Sequence, residues 1–303
     1  MNTLSIQTER LLIVGSGDVA WRALPWLLKR FRVFAVCRNT ENATRWRNAG
    51  AVPVIADLDD RKSLMRLKGL ANWVLITAPP NGSQPDDPRL KRLLAQLSSA
   101  RIIPCRLVYI GTTGVYGDCA GAKIDETQPR RAENARAKRR VAAENLLRHW
   151  LYSCSQVHRT ASILRAPGIY AADRLPLARL SAGTPAIRSE EDSYTSHIHA
   201  DDLAMAACLA LFRAKAGRAY HVCDHSQIKM GDWFDLVAAH FDLHKPVRIT
   251  RSEAEKQIPA ALYSFMRESR RLSNHRLLQE LRLRLRYASV NQGLAAVPKP
   301  FTF

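Results

Sequence analysis

The chain has 303 residues, 47% hydrophobic and 24% charged, a globular composition that excludes wholesale disorder and suits one large domain or two smaller ones. Its 46 Lys and Arg against 27 Asp and Glu leave a formal charge of +19, which favours phosphate-bearing or other anionic partners without saying which. No apolar run approaches the ~20 residues of a membrane helix, residues 1–5 lack the regions of a secretion signal, and the six cysteines form no Cys-x-x-Cys pair, so a cytoplasmic protein with reduced thiols and no metal is expected.

In chain order, residues 10–15 (RLLIVG) predict a strand buried on both faces. A helix is expected over 18–30, kinked or shortened by Pro25. Strand 32–37, helix 41–48, strand 51–56, helix 61–68, strand 73–78, helix 88–98 and strand 105–111 follow. Strands alternating with helices predict an α/β fold, a Rossmann doubly wound parallel sheet with helices on both faces. A basic helix over 130–150 and a strand starting at 162–164 continue it. Beyond them the alternation weakens: helix 203–214, strand 218–223 and helix 231–241. In 282–286 arginines alternate with Leu281, Leu283 and Leu285, a period of two that suits a strand with one basic and one apolar face.

Gly15-Ser16-Gly17-Asp18-Val19-Ala20 forms a G-x-G-x-x-A pattern between the first strand and helix. Gly15 permits a tight turn, and Gly17 lets backbone approach a pyrophosphate. Asp18 and Val19 open a helix whose first N–H groups are unpaired. A strand–turn–helix with incidental glycines has the same pattern. At the second strand's end a ribose 2′-OH favours an acidic residue and a 2′-phosphate a cation, so Arg38 points to NADP, with NAD possible. An exposed strand-end arginine is the plainer account. Asp57, followed by Leu58, can accept from an adenine amino group, while Asp59 or Asp60 can cap the next helix. Thr77, Ala78 and Pro79 end the fourth strand in small residues against which a cofactor can lie, or form an ordinary turn.

Five blocks then occur in order: VYIGTTGVYGD at 108–118, IDETQP at 124–129, RAPGIY at 165–170, IHADDLA at 198–204 and SRRLSN at 269–274. Together they resemble the extended short-chain dehydrogenase/reductases, the NAD(P)-dependent epimerase/dehydratase relatives, over residues 11–294. The resemblance implies an NAD(P)-binding Rossmann domain at 1–170. It also implies a smaller substrate-binding region at 171–303, interleaved with the main sheet. It places Pro167, Gly168 and Ile169 at the cofactor, and Tyr116, Arg136, Tyr170, Arg174 and His199 at the substrate. Family chemistry uses a Tyr-x-x-x-Lys pair and an upstream hydroxyl: Tyr moves the proton, Lys lowers its pKa and binds the nicotinamide ribose.

Thr112 or Thr113 fills the hydroxyl position, but the Tyr and Lys positions read Arg136 and Arg140. Sliding the register to use Lys138 places Asn134 opposite it, again no Tyr. A guanidinium stays protonated, so Arg136 cannot transfer protons, whereas Arg140 can keep the ribose-binding part of the Lys role. Three outcomes follow. Another group is the acid, Tyr116 being nearest by motif. Arg136 binds an anionic substrate or polarises a carbonyl. Or the chain binds NADP without catalysis, as a sensor or scaffold. Tyr116 and Tyr170 also fit as packing residues, and His199 as a structural histidine beside a helix start.

The resemblance implies an oxidoreductase acting on a small molecule, a nucleotide-sugar or similar carbonyl or alcohol compound. The basic clusters at 130–140 and 267–286 carry no nucleic-acid-binding signature, so neither a specific nucleic acid nor a membrane is an expected partner. A monomer or homodimer is expected, with like charges on the basic helix opposing self-association.

Overall fold

A computed structural model describes residues 9–82, 84–153 and 159–299; residues 1–5, where no secretion signal is expected, and Cys154 lie outside the described residues. The chain runs β1 (Arg10–Val14), α1 (Asp18–Leu28), β2 (Arg32–Cys37), α2 (Thr40–Asn48), β3 (Val52–Ile55), β4 (Trp73–Ile76), α3 (Pro88–Ser98) and β5 (Arg106–Thr112). It continues through β6 (Lys123–Ile124), α4 (Ala135–Tyr152), β7 (Thr160–Ala166), β8 (Gly168–Tyr170), α5 (Leu177–Ser181), β9 (Ala186–Ile187), β10 (Tyr194–Thr195), β11 (His197–His199) and α6 (Ala200–Arg213). It closes with β12 (Ala219–His221), β13 (Ile228–Lys229), α7 (Met230–His240), β14 (Arg248–Ile249), α8 (Arg251–Gln257), α9 (Ala260–Met266), β15 (Arg271–Leu272), α10 (His275–Gln279) and α11 (Val290–Ala295).

Seven strands form one parallel sheet in the order β12-β7-β5-β4-β1-β2-β3. The strands read as unbroken apolar runs because both faces are covered. Leu11 and Ile13 point to a core shared with Ala20, Leu24, Trp46 and Leu203, from α1, α2 and α6. Leu12 and Val14 point to the opposite core, with Leu90, Leu94, Leu147 and Trp150 from α3 and α4. Strand order reverses between β1 and β4, and such a switch point opens a crevice at the strands' carboxyl ends.

Several elements differ from the sequence reading. The segment 61–68 is a short 3-10 turn, Ser63–Leu67. There Ser63 and Asp60 side chains bond nearby backbone groups and compete with an α-helical ladder. The basic helix begins at Ala135, not 130, because Asn134 caps it by accepting from the Ala137 N–H at 2.8 Å. The segment 281–286 forms no strand: Leu281 and Leu283 are buried and Arg282 and Arg284 exposed, but Arg282 has φ +52° and breaks the extended run. Pro25 lies inside α1, which ends three residues beyond it.

The C-terminal half feeds the main sheet. α6 packs on α1, and β12 joins β7. Among the described residues, four short two-stranded ladders, β8 with β11, β10 with β13, β9 with β14 and β6 with β15, carry the remaining strands. No helix among the described residues is long and apolar enough to cross a membrane.

Candidate functional site

The crevice at the switch point is a cleft of about 480 Å³, within the roughly 300–1,000 Å³ of ordinary ligand pockets. The glycine loop forms one wall. Gly15 has φ +109°, and a Cβ there would lie 2.4 Å from the Ala78 nitrogen and 2.6 Å from Thr77 Oγ1. Thr77 Oγ1 donates to the Gly15 carbonyl at 2.5 Å, joining the β1 and β4 ends. Gly15 is therefore required by the protein itself. Gly17 is not: a Cβ built there meets nothing within 4 Å, so the space its hydrogen leaves belongs to the cleft. Gly17 is also the N-cap of α1 and provides no side-chain cap for the first-turn amides. Open backbone at a helix N-terminus can hold a dinucleotide pyrophosphate.

The rest of the cleft is polar. Asn42 on α2 donates to Ser16 Oγ at 2.6 Å, shaping the loop. Arg38 is exposed at the rim, next to Asn39. Asp57 and Leu58 line the wall beyond β3, and Asp57 Oδ1 also accepts from the Asp59 N–H at 2.9 Å. Ala78, Pro79 and Arg89 complete it. Arg89 is held by Asp59, whose carboxyl it pulls down to about 2. Of the residues read from sequence, Gly15, Gly17, Arg38, Asp57, Leu58, Thr77, Ala78 and Pro79 come together here; Val19 packs against the core behind the loop. Sequence reasoning missed Asn42 and Arg89, whose positions depend on which helix faces the cleft.

A smaller pocket, about 170 Å³, lies at the β5 and β7 ends. Thr112, Thr113, Arg136, Pro167 and Gly168 line it, together with Tyr194, Met230, Phe265, Glu268 and Arg270. Thr112 Oγ1 accepts from the Gly114 N–H at 3.2 Å and caps the turn. The Arg136 guanidinium lies 3.7 Å from the Phe265 ring centroid. Burial lowers its pKa, opposed by nearby Glu268. Glu268 is buried, accepts from Asn134 Nδ2 at 3.0 Å and pairs with Arg270 at 2.8 Å. Tyr194, Phe265, Glu268 and Arg270 were missed in sequence because short strands and loops far along the chain deliver them, with no spacing to mark them.

Other predicted residues go elsewhere. Arg140 turns back to the sheet, donating to Tyr109 Oη at 2.7 Å and to the Ile110 carbonyl at 3.2 Å. Tyr116, the nearest acid by motif, is 1% exposed and does not line the pocket. Its hydroxyl accepts from Arg165 and meets His221 Nε2 at 2.5 Å. Burial pushes that hydroxyl up to about 12. Arg165 is in turn clamped by Glu144 at 2.9 and 2.8 Å in a bidentate pair. Burial alone would raise the Glu144 carboxyl, but Arg165, Arg148 and Arg130 hold it low. The basic cluster around 130–140 is thus partly an internal ion network.

Asp18, Arg174, Tyr170 and His199 gather on the α1 and α6 side. Asp18 holds Arg22 at 2.9 Å and Arg174 at 3.5 Å. His199 Nδ1 accepts from the Asp201 N–H at 3.2 Å and caps α6. Tyr170 is buried and donates to the Ser289 carbonyl at 3.4 Å. Ile169 pairs with Ile198 in the β8–β11 ladder, away from both cavities' linings. No metal-ligating cluster forms among the described residues.

No protein-family model and no curated protein matches the sequence. Solved structures do match in three dimensions. A functionally unknown conserved protein from Silicibacter pomeroyi aligns with a TM-score of 0.75 and 26% identity, over 96% of this chain and 98% of its own. UDP-glucose 4-epimerase from Thermotoga maritima, solved with UDP-glucose, gives 0.75 and 15% over 94% and 96%. dTDP-glucose 4,6-dehydratase from Bacillus anthracis, solved in complex with NAD, gives 0.74 and 13% over 94% and 94%. The chain has the fold of these nucleotide-sugar epimerases and dehydratases.

Proposed function

We propose that this protein is an atypical extended short-chain dehydrogenase/reductase that binds NADP, NAD less well. It works as an epimerase/dehydratase-like oxidoreductase on a nucleotide-sugar or similar carbonyl or alcohol substrate. The observation that carries the reading is the Gly17 cradle. The protein fills no space there, the α1 amides stand uncapped, and Arg38 and Asp57 flank the ribose end of the cleft. Arg38 supplies the cation that a 2′-phosphate favours. The bound NAD and UDP-glucose of the structural neighbours support a dinucleotide in the cleft and a sugar-like substrate beside it.

In this reading Thr112 or Thr113 holds the substrate oxygen and Arg136 faces the substrate. Arg140 is engaged by Tyr109 and the Ile110 carbonyl, so it steadies the β5 end and is not the ribose ligand. A nicotinamide, when bound, would supply the hydride chemistry; Tyr194 is the tyrosine of the pocket wall. The protein acts in the cytoplasm as a monomer or homodimer, without a nucleic-acid or membrane partner.

One observation favours a second reading, an NADP-binding sensor or scaffold. Arginines stand at the Tyr and Lys positions, and Tyr116 is locked inside the protein. A panel of carbonyl compounds and nucleotide-sugars, followed by reduced-nicotinamide absorbance and product chromatography, separates the two. Turnover that falls with Thr112→Val supports the enzyme. NADPH binding with no turnover on any member supports the sensor.

A further inference from the structure

The small pocket carries one net positive charge without an internal match. Arg270 is neutralised by Glu268 at 2.8 Å. Both Glu268 oxygens are engaged, by Arg270 and by Asn134. Arg136 remains. Among the described residues no carboxylate comes within ion-pair distance of it: burial disfavours its charge, and the nearby Glu268 that opposes this is already paired with Arg270. One guanidinium face lies 3.7 Å from the Phe265 ring centroid. The planar N–H edge is what it can present to the cavity, and that edge matches a carboxylate in two parallel hydrogen bonds.

Size and charge narrow the ligand. At about 170 Å³ the pocket falls below the roughly 300–1,000 Å³ that encloses a drug-sized ligand, so it takes a small compound or the reacting end of a larger one. A monoanion balances the single free cation. A phosphate dianion would leave a second negative charge facing Glu268. Hydroxyl groups of Thr112, Thr195 and Ser196 offer donors and acceptors for an alcohol or carbonyl beside the carboxylate.

We infer that Arg136 is a carboxylate anchor, and that the reacting portion of the substrate is a small hydroxy or oxo acid. The inference deepens the proposed enzyme reading and rests on it for the reaction, but anchoring itself does not require the cofactor.

The test uses the full chain with and without NADPH. Ligand-detected NMR measures Kd for glycerate, its neutral isostere glyceramide and inorganic phosphate, on the wild type, Arg136→Met and Arg136→Lys. Glycerate should bind wild type more tightly than glyceramide and phosphate. Its Kd should rise about tenfold or more in Arg136→Met, as loss of a charged hydrogen-bonded pair implies. Arg136→Lys should be intermediate, and glyceramide should not change. If Arg136→Met does not fold, Arg136→Lys decides, because it keeps the charge and loses the fork. Glycerate binding no tighter than glyceramide, or unchanged in both variants, overturns the anchor. Phosphate binding tighter than glycerate overturns the carboxylate assignment. Arg136-dependent glycerate binding in a chain that ignores NADPH leaves the anchor standing and removes the cofactor reading, so the two failures are distinguishable.

Discussion

The large cleft and the arginine pocket share the carboxyl edge of one sheet, yet they are built from different materials. The cleft is organised by backbone features, a glycine turn, a helix N-terminus and small residues after β4, with polar side chains such as Arg38, Asn42 and Asp57 around them. The pocket is mostly side chains, drawn from β5, α4, β10, α9 and the loop before β15, and a buried ion network ties α4 to β7 close by in sequence. Backbone features need particular residues at fixed spacing, so they tolerate little change. Side-chain features can be exchanged when a neighbouring group takes over the charge. That difference fits arginines at 136 and 140, the positions to which the sequence resemblance assigns Tyr and Lys, inside an intact fold.

The largest expected effect comes from the buried network that joins α4 to β7. Glu144→Gln leaves Arg165, 2% exposed, without its bidentate partner. Urea unfolding should show a loss of about 3–5 kcal/mol. The double variant Glu144→Leu/Arg165→Met should recover much of it, since a buried pair replaced by apolar side chains is often neutral. A single variant as stable as the wild type would mean that the network does not support the fold.

The glycines sharpen the other side. Gly15→Ala combines φ +109° with a contact of 2.4 Å to backbone, and should cost about 2–3 kcal/mol in the same assay. Gly17→Val should cost about 1 kcal/mol or less yet weaken NADPH binding at least tenfold, read by calorimetry. Equal effects of the two substitutions on stability would show that the Gly17 space is structural.

The remaining test is a pH dependence, small near neutral pH and growing only as the solution is acidified. His221 is buried against Tyr116 and the Ser273 carbonyl, and burial holds it down to about 3, against 6.5 when unfolded. A depressed folded pKa means its contribution is complete above about pH 6.5 and is lost as pH falls toward about 3, because the unfolded chain binds the proton first. The stability gap between wild type and His221→Gln should therefore be widest at neutral pH. It should shrink by about 1.4 kcal/mol per pH unit at most below 6.5. A gap independent of pH would mean His221 is not held neutral.

Much of the cleft was legible in the sequence because its determinants are local. Strand 10–15 running into Gly15 and Gly17 sets both the turn and the helix start, and Arg38 and Asp57 follow directly on strands. The pocket was legible only at Thr112, Thr113, Arg136, Pro167 and Gly168, which lie at the end of β5, on α4 or directly after β7. Tyr116 sits in a motif that suggests chemistry, but its fate depends on Arg165 and His221 arriving from β7 and β12, contacts no local spacing encodes. Phe265 and Glu268 depend on where α9 and the following loop fold back. The 281–286 alternation predicted burial correctly at Leu281 and Leu283 and still missed the conformation, because alternate burial does not require an extended ladder.

The central claim is that the glycine-built cleft holds NADP, and calorimetric titration of the purified protein with NADPH and NADH tests it most directly. The account predicts saturable NADPH binding, about tenfold or more tighter than NADH, with the difference lost in Arg38→Ala. Tighter binding of NADH, or binding of neither dinucleotide, would contradict it.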